Sequence, residues 1–463
     1  MRPSRYLNTV EIGDGNSLLY NGFSMCVDVV PSDLAHRLVS SGDGGDFSFL
    51  LPGERDHLVR RGHLTELPPE GEHEAMREFA RAVARMDAEP NRRCFRAKTI
   101  TFVLTYRCNL SCAYCYQKDV RKNTNLSSMS EEFVDEFFGR HLRNLLPGER
   151  EEDLDFTLYG GEPLLPGNRG AIERILHYAR RGGNAVSTVT NAVMLPQMLD
   201  LIGPDKGKIN NVQVTLDGGK MFHDGQRVSP SGGPTFEQTI LAIREVMKAG
   251  ANAIIRIHLH PDSLESARAL VEYLEREKIL GHDKVKAYFW STEDVHHEVL
   301  SRREYELFLK LFHRVALKQD SPPTAHFAFL KQVMALQAAG RRPVRRHCDI
   351  CVTGLHCVVD PLGDLYECID DAGHQDRRRG TLAGGEVQYF KLGKDHEKPH
   401  LSDKPECLRC SVALFCGGGC INRLKAQSGS PSESFCQQVR EFVGLTLKSC
   451  FLLGKNASSA ESA

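Results

Sequence analysis

Three cysteines stand in one short run, Cys108-Asn109-Leu110-Ser111-Cys112-Ala113-Tyr114-Cys115, directly behind an apolar β-like stretch from Ile100 to Tyr106. The spacing is C-x3-C-x2-C. Three thiolates are one too few to close a tetrahedral structural zinc site. A [4Fe–4S] cluster held by only three cysteines keeps one iron open to an outside ligand. The competing reading is a structural metal knuckle or three buried thiols, and C-x2-C alone would favour zinc. The longer first spacing and the aromatic Tyr114 ahead of the last cysteine set this run apart from a zinc knuckle.

The other cysteines bear on the same question. The chain holds 15 in 463 residues: three at 108–115, nine from Cys348 to Cys436, and Cys26, Cys94 and Cys450 standing alone. The isolated three read as small buried hydrophobes. No run of about 18 apolar residues is present to span a membrane, and the N-terminus (Met1-Arg2-Pro3-Ser4-Arg5-Tyr6) lacks the apolar core of a signal peptide. The chain therefore reads as cytoplasmic. In that reducing compartment, clustered cysteines point to metal ligation or redox work rather than disulfides. A formal net charge of −1 gives no global field toward nucleic acid or an anionic membrane. The arginine runs at 341–346 and 377–379 read as solvated loop charge.

Along the chain, β-like runs at Tyr6–Ile12, Ser17–Tyr20 and Ser24–Val30 lead into helical patterns at Pro31–Ser40 and Pro52–Gly62, with Gly62 suited to a helix C′ position. This order predicts a winged-helix-like domain over residues 1–95. Pro68-Pro69-Glu70-Gly71 is expected to separate it from a polar helix at Glu74–Arg85. From Lys98 strands and helices alternate: strands at Ile100–Leu104, Leu154–Tyr159, Val186–Val189, Val212–Leu216, Ala253–Leu259 and Val285–Trp290. Helices fall at Ser130–Leu146, with Ser130 as N-cap, and at Ala171–Arg180, Phe236–Ala249 and Ser263–Lys278. Alternation of this kind predicts parallel strands with right-handed crossovers. Six units fall short of a closed eightfold barrel, so residues 96–300 are expected to form an open partial (β/α)6 barrel of α/β class. Residues 301–345 read as a helical bridge. Residues 346–440, rich in Cys and Gly, read as loops wrapped around metal, and 441–463 as a C-terminal helix and polar tail.

Cys108, Cys112 and Cys115 resemble the signature of the radical SAM superfamily. In that family the three thiolates hold a [4Fe–4S] cluster, and its open iron binds S-adenosylmethionine. Further segments resemble the same family. Gly160-Gly161-Glu162-Pro163 matches the motif that holds the amino group of S-adenosylmethionine, with Glu162 as the carboxylate and the glycines allowing close backbone approach. Tyr114 and Asn191 match cofactor-contacting positions; Asn191 lies in Thr190-Asn191-Ala192, where relatives carry Gly in place of Ala192. Asp217-Gly218 with His223-Asp224 resembles a run of the peptide-modifying branch, and Asp217 is implied as a cofactor contact. Arg256 matches a position that meets the cofactor carboxylate. His258 and His260 follow on the same strand, either as plain strand-end polar residues or as functional ones.

The C-terminal region resembles a SPASM domain. The resemblance implies Cys351, Cys357, Cys368 and Cys420 for one auxiliary [4Fe–4S] cluster, and Cys407, Cys410, Cys416 and Cys436 for another, three clusters in all. Such cross-links would staple distant loops without a large apolar core. Two structural zinc sites are the competing reading. Cys348 is surplus to both sets, and could stand in for Cys351, act as a catalytic acid, base or hydrogen donor, or do nothing. The N-terminal strands and helices, closing on Arg60-Arg61-Gly62-His63-Leu64, resemble the element that recognises precursor peptides of ribosomal natural products by strand addition.

Together the resemblances imply a peptide maturase. A 5′-deoxyadenosyl radical would abstract hydrogen from a precursor peptide, and fully ligated auxiliary clusters would accept the released electron. Oxidative crosslinking (thioether, C–C or C–O) is the first expectation. Peptide epimerisation with Cys348 as hydrogen donor and sulfatase-type protein maturation are alternatives, and a non-catalytic zinc-stapled binding protein is the third. The expected partners are the peptide, held by the N-terminal domain, and an electron donor such as flavodoxin or ferredoxin.

Overall fold

The structure is a computed structural model, and it describes residues 1–42, 44–87, 98–123, 127–259, 263–291, 302–319, 356–382, 386–390, 401–418, 436, 439–440 and 443–452. Cys94, His260, Cys348, Cys351, Cys420, the arginine run at 341–346 and the tail from 455 lie outside these residues. The described chain forms two compact units: residues 1–87 with those from 401 onward, and the residues between 98 and 390.

The first unit opens with β1 (Arg2–Pro3), β2 (Leu7–Gly13), β3 (Asn16–Asn21) and β4 (Val27–Pro31). Helices Ser32–Ser40 and Pro52–Arg60, β5 (Leu64–Thr65) and helix Pro69–Asp87 follow. β2, β3 and β4 form an antiparallel meander, and β1 pairs with β5. Gly13 pairs with Asn16, so Asp14-Gly15 forms a two-residue turn with both φ positive, +52° and +70°. That is the hairpin turn whose twist matches its strands. Leu19 of the central strand packs with Ala35, Leu38, Phe47, Leu50, Leu58 and Leu64. Gly62 occupies the C′ position as anticipated. At φ +76° its N–H donates to Val59 O, and the His63 N–H donates to Leu58 O, closing a Schellman motif. The break expected at Pro68–Gly71 does not separate domain from helix. The helix begins at Pro69 itself, because a proline in the first turn gives up only an N–H that has no intrahelical partner.

Residues 401–418 belong to this same unit. The Tyr6 hydroxyl donates to Leu408 O (2.7 Å), Asn8 Nδ2 donates to Ser411 O (2.9 Å), and the Ser411 hydroxyl donates to Asn8 Oδ1 (2.7 Å). Tyr20 meets Phe415 edge to face at 5.9 Å. Leu408, Ser411 and Phe415 are the immediate neighbours of Cys407, Cys410 and Cys416. The cysteine segment is thus held on the N-terminal sheet by the residues between its thiols.

In the second unit, β6 (Thr99–Thr105), β7 (Asp155–Gly160), β8 (Val186–Thr190), β9 (Asn211–Leu216), β10 (Asn252–Leu259) and β11 (Val285–Ser291) are parallel and lie side by side in chain order. β6 and β11 do not pair, so the open partial barrel is what forms. Buried apolar residues such as Ile255, Ile257, Val212 and Val214 face the covering helices, while Gln213, Arg256 and Tyr288 occupy the alternate positions. Ser130 caps its helix, accepting from the Phe133 N–H at 3.1 Å. The single helix expected to Leu146 instead contains a π turn at Phe137–His141. Within that widened turn Phe137 and Phe138 both reach the ring of Phe102, at 5.1 and 5.9 Å. Helix Arg302–Ala316 lies in the expected bridge.

The expectation of metal-wrapping loops from 346 onward needs correction over residues 356–390. Here β12 (His356–Val359) adds to β6 in parallel, and β13 (Asp364–Tyr366), β14 (Gly380–Thr381) and β15 (Gln388–Tyr389) continue antiparallel. The run His356-Cys357-Val358-Val359 is buried throughout, which suits a strand covered on both faces. His356 Nε2 sits 2.6 Å from Thr101 Oγ1. No helix among the described residues is long and apolar enough to cross a membrane.

Gly22 tests the first unit. A Cβ there would stand 1.8 Å from Ser411 O, a backbone clash that costs roughly 1–3 kcal/mol or more. Gly22→Ala should strip amide-exchange protection from residues 1–87 and 401–418 together. Loss confined to one segment would show that they do not form one unit.

Candidate functional site

The site grows from the carboxyl ends of β6, β7 and β8. After β6 the chain turns into the cysteine run, and two backbone bonds join it to the end of β7. The Gly161 N–H donates to Thr105 O and the Glu162 N–H to Arg107 O, each at 2.8 Å. Gly160 has φ +143°, and a Cβ there would lie 2.3 Å from Thr105 O; a Cβ on Gly161 would lie 2.2 Å from Arg107 O. The glycines were expected to admit a ligand. What they admit here is the backbone that carries the cysteines.

Glu162 is fully buried. Its Oε1 accepts from the Leu164 N–H (2.9 Å) and the Thr190 hydroxyl (2.6 Å), and its Oε2 from the Asn191 N–H (2.7 Å). The carboxylate therefore ties β7 to the end of β8. Burial raises its pKa while these three donors pull it back. Asn191 Nδ2 donates to Asn109 Oδ1 at 2.8 Å and reaches within 3.8 Å of Cys108 Sγ. Ala192, where relatives carry glycine, has φ +68°, the left-handed region that disfavours a Cβ. Pro163 O accepts from Asn168 Nδ2 at 2.9 Å, which fixes the turn after Glu162.

A second buried group lies at the ends of β9 and β10. The Tyr114 hydroxyl donates to both oxygens of Asp217 (2.9 and 2.8 Å), and Arg227 Nη1 donates to the Tyr114 hydroxyl (2.7 Å). His258 Nδ1 stands 3.0 Å from Asp217 Oδ1, its ring edge-on to Tyr114 at 5.2 Å. The Asp217 N–H donates to His223 Nδ1 (3.4 Å), and Asp224 Oδ1 accepts the N–H groups of Thr235 and Phe236 (2.8 Å each). His223-Asp224 thus holds a helix start in place. Gly218, at φ +127°, leaves no room for a Cβ against Ser266 Oγ at 2.5 Å.

Arg256 sits one layer deeper. Its Nε donates to the Tyr288 hydroxyl (2.7 Å), which donates on to Gln213 Oε1 (2.9 Å), and its guanidinium lies 5.5 Å from the Trp290 ring. Tyr116 and Tyr159 share a 2.8 Å hydrogen bond beside it. Sequence reasoning missed Asn109, Arg227, Tyr116, Tyr159, Tyr288 and Gln213. For Arg227 the available signal was its i+4 spacing from His223. The others carried none beyond their alternation along a strand or their place in the cysteine run.

The thiols of Cys108, Cys112 and Cys115 are free. Burial pushes Cys108 up to about 11 and raises Cys112, the latter against the pull of Arg227. Cys112 feels the charge of Cys115, and Cys108 that of Cys112. Cys357 is buried on β12, and Cys368 follows β13. Of that implied ligand set, Cys351 and Cys420 lie outside the described residues. Burial pushes Cys407 up to about 12, and it feels Cys416 and Cys410; Cys436 feels Cys410 and Cys416. Among the described residues no three Cys, His, Asp or Glu side chains are gathered tightly enough to grip a bare metal ion. The donor chemistry, three neighbouring thiols behind β6 and the thiols of Cys407, Cys410, Cys416 and Cys436 in the first unit, nevertheless suits thiolate-held iron–sulfur clusters. Binding them would displace the thiol protons.

Comparison with known proteins adds the following. Residues 102–274 match the Radical SAM superfamily. A serine-type anaerobic sulfatase-maturating enzyme of Klebsiella aerogenes is 24% identical over 336 residues, covering 69% of this chain and 78% of that protein. A cysteine-type enzyme of Clostridium perfringens is 23% identical over 353 residues, covering 72% and 92%. The mycofactocin maturase MftC of Mycolicibacterium smegmatis is 23% identical over 338 residues, covering 70% and 77%. Among solved structures, native anSMEcpe with bound AdoMet and Cp18Cys peptide matches with a TM-score of 0.58 at 19% identity, over 78% of this chain and 99% of that one. That likeness establishes the fold.

Gly161→Ala should cost the chain about four iron atoms, one cluster's worth, measured after anaerobic reconstitution; a full complement would show that the cysteine run does not depend on this contact. The buried histidines give a pH prediction. Burial, with Arg256 and Arg227 adding to it, pushes His258 down to about 4. A histidine whose folded pKa is depressed stays neutral in the fold while the unfolded chain protonates, so stability is lost as pH falls from about 6.5 toward 4. Asp360, pushed up to about 6 by burial, works in the opposite sense. The contribution is therefore read as a difference: the gap in urea midpoint between wild type and His258→Gln should shrink as pH falls from 7 to 4.5. A constant gap would contradict a neutral, buried His258.

Proposed function

We propose that this chain, a radical SAM superfamily protein by its residues 102–274, is a maturase that oxidises a residue within a peptide or protein. The observation that carries the reading is the joining of three strand ends: the cysteine run after β6, Glu162 after β7 and Asn191 after β8 are tied by Gly161 N–H to Thr105 O, by Asn191 N–H to Glu162, and by Asn191 Nδ2 to Asn109. Ligands of open α/β sheets belong at such carboxyl ends.

In this reading Cys108, Cys112 and Cys115 hold a [4Fe–4S] cluster, and Glu162, Asn191 and Tyr114 line the place of S-adenosylmethionine. Gly160, Gly161 and Pro163 shape the turn. Bound there, the pair supplies a 5′-deoxyadenosyl radical able to remove a hydrogen atom. Asp217 steadies Tyr114 from behind. Arg256 offers a buried cation to a carboxylate, and Trp290, 42% exposed beside it, gives a substrate chain an aromatic face. Two auxiliary [4Fe–4S] clusters, on Cys351, Cys357, Cys368 and Cys420 and on Cys407, Cys410, Cys416 and Cys436, would accept the electron left on the substrate radical. Net two-electron oxidation follows, with crosslink formation the first candidate outcome. Among the described residues β2 and β4 are the outer strands of the N-terminal meander, a position that suits strand addition by a precursor peptide, and a low-potential flavodoxin or ferredoxin would supply the starting electron.

A second reading, oxidation of a Ser or Cys in a protein substrate, draws support from the sulfatase-maturating relatives over about 70% of this chain. Both are oxidations. They differ in whether residues 1–87 bind the substrate, so peptide crosslinking in the full chain, mapped by mass spectrometry, separates them.

The test is anaerobic purification with iron, sulfide and zinc counted, then reduction in the presence of S-adenosylmethionine. About twelve iron and twelve sulfide, four for each of three clusters, with 5′-deoxyadenosine released, is the expected result. Zinc without iron and no cofactor cleavage would leave a metal-stapled binding protein instead.

A further inference from the structure

We infer that Arg227 is a positioning residue of the cysteine run: it fixes Tyr114 from the rear and keeps a buried positive charge at Cys112, which eases reduction of the cluster held there. The inference rests on the radical SAM reading of the site and assigns a role to a residue that reading leaves unused.

Residues 227 and 228 hold the run at two points. Arg227 ends the helix Lys220–Gln226, its N–H donating to His223 O (2.9 Å) and its own carbonyl accepting from the Thr235 hydroxyl (2.9 Å). Its Nη1 donates to the Tyr114 hydroxyl at 2.7 Å. The carbonyl of Val228 accepts the Ser111 N–H at 2.8 Å. Ser111 and Tyr114 flank Cys112. The segment after one helix therefore holds the loop on both sides of its middle cysteine.

Arg227 is 8% exposed, and a guanidinium so placed needs an anion nearby to offset its lost hydration. Asp217 supplies it, with Oδ2 3.8 Å from Arg227 Nη1. The contact is loose because the Tyr114 hydroxyl stands between them, accepting from Arg227 and donating to Asp217. His258 Nδ1 stands 3.0 Å from the other carboxylate oxygen, Oδ1. The guanidinium keeps its charge and is anchored to the cysteine run through the Tyr114 hydroxyl, with Val228 beside it holding Ser111. Three thiolates on a four-iron cluster make an anion, and reduction adds another negative charge. A fixed cation in a low-dielectric pocket stabilises that added charge, and the charge and hydrogen bonds around a cluster are what tune its potential. Arginine suits the post better than lysine because its charge stays on and its planar fork is held by a directed bond to a single hydroxyl.

The experiment compares wild type, Arg227→Met and Arg227→Lys as full chains, reconstituted without oxygen. The reduced fraction is followed by electron paramagnetic resonance against dithionite poise, without S-adenosylmethionine. A chain with Cys108, Cys112 and Cys115 all changed to Ala supplies the auxiliary-cluster background. Arg227→Met should lower the reduced fraction of this one cluster at least tenfold at fixed poise. Arg227→Lys should recover most of it, because the charge remains. Tyr114→Phe should keep the potential near wild type and alter the line shape, because it removes the hydrogen bond and not the charge. Normal iron with an unchanged potential in Arg227→Met overturns the inference. So does an unchanged potential with weakened S-adenosylmethionine binding, which would make Arg227 a cofactor contact. If Arg227→Met loses iron, the neutral pair Asp217→Asn/Arg227→Met decides. Loss restricted to this cluster supports the positioning role, and loss of all iron from every variant marks Arg227 as part of the fold alone. A wild-type chain that takes up no iron–sulfur cluster defeats the radical SAM reading itself, a result distinct from any of these.

Discussion

The backbone of Gly160 and Gly161 lies directly against the carbonyls of Thr105 and Arg107, closer than any side chain would allow. Much of the candidate site follows from that approach. It fixes where the chain leaves β6, and so where Cys108 begins. It also points Glu162 inward, where the carboxylate can collect three donors from Leu164, Thr190 and Asn191. Asn191, held by that carboxylate through its backbone, then extends its side chain to Asn109 inside the cysteine run. The loop that would carry a cluster is thus bonded to the second and third strands of the sheet.

Burying polar groups so densely is expensive unless each is paired. The second unit pairs most of them in small sets. Arg227, Tyr114, Asp217 and His258 form one, and Arg256, Tyr288 and Gln213 form another. Removing a single member would strand its partners in low dielectric, a cost larger than the net value of the bond itself. Gln213, Arg256, His258 and Tyr288 of these sets occupy alternate positions of β9, β10 and β11, while the positions between them carry buried apolar residues such as Val212, Val214, Ile255 and Ile257. One strand alternation thus serves the core on one side and the chemistry on the other.

The first unit solves a different problem. A segment such as 401–418, with two short helices of four residues each, has too little apolar surface to fold by itself. It gains that surface from the N-terminal sheet through Leu408, Ser411 and Phe415, one beside each cysteine.

Local patterns were enough to place the six parallel strands, the Ser130 cap, the Gly62 helix stop and the cysteine run behind β6, since each depends on residues close together in sequence. Alternation of strand and helix with only six repeats was enough for an open sheet. What local pattern could not show was β12. His356 to Val359 is a four-residue run, and only the unpaired edge of β6, some 250 residues earlier, makes it a strand. The π turn at Phe137 was hidden for the same reason: it answers to Phe102 on another strand. The glycines of the Gly160-Gly161 turn were legible as a need for close approach, but the approaching group was not. Arg227 offered only its i+4 spacing from His223, because its partners, Tyr114 and Asp217, lie 113 and 10 positions away. The sequence by itself determined which elements form and which residue types could do chemistry, because propensity, capping and spacing are local. Only the tertiary structure decided which of those residues meet, because burial and long-range pairing assign every polar group its partner.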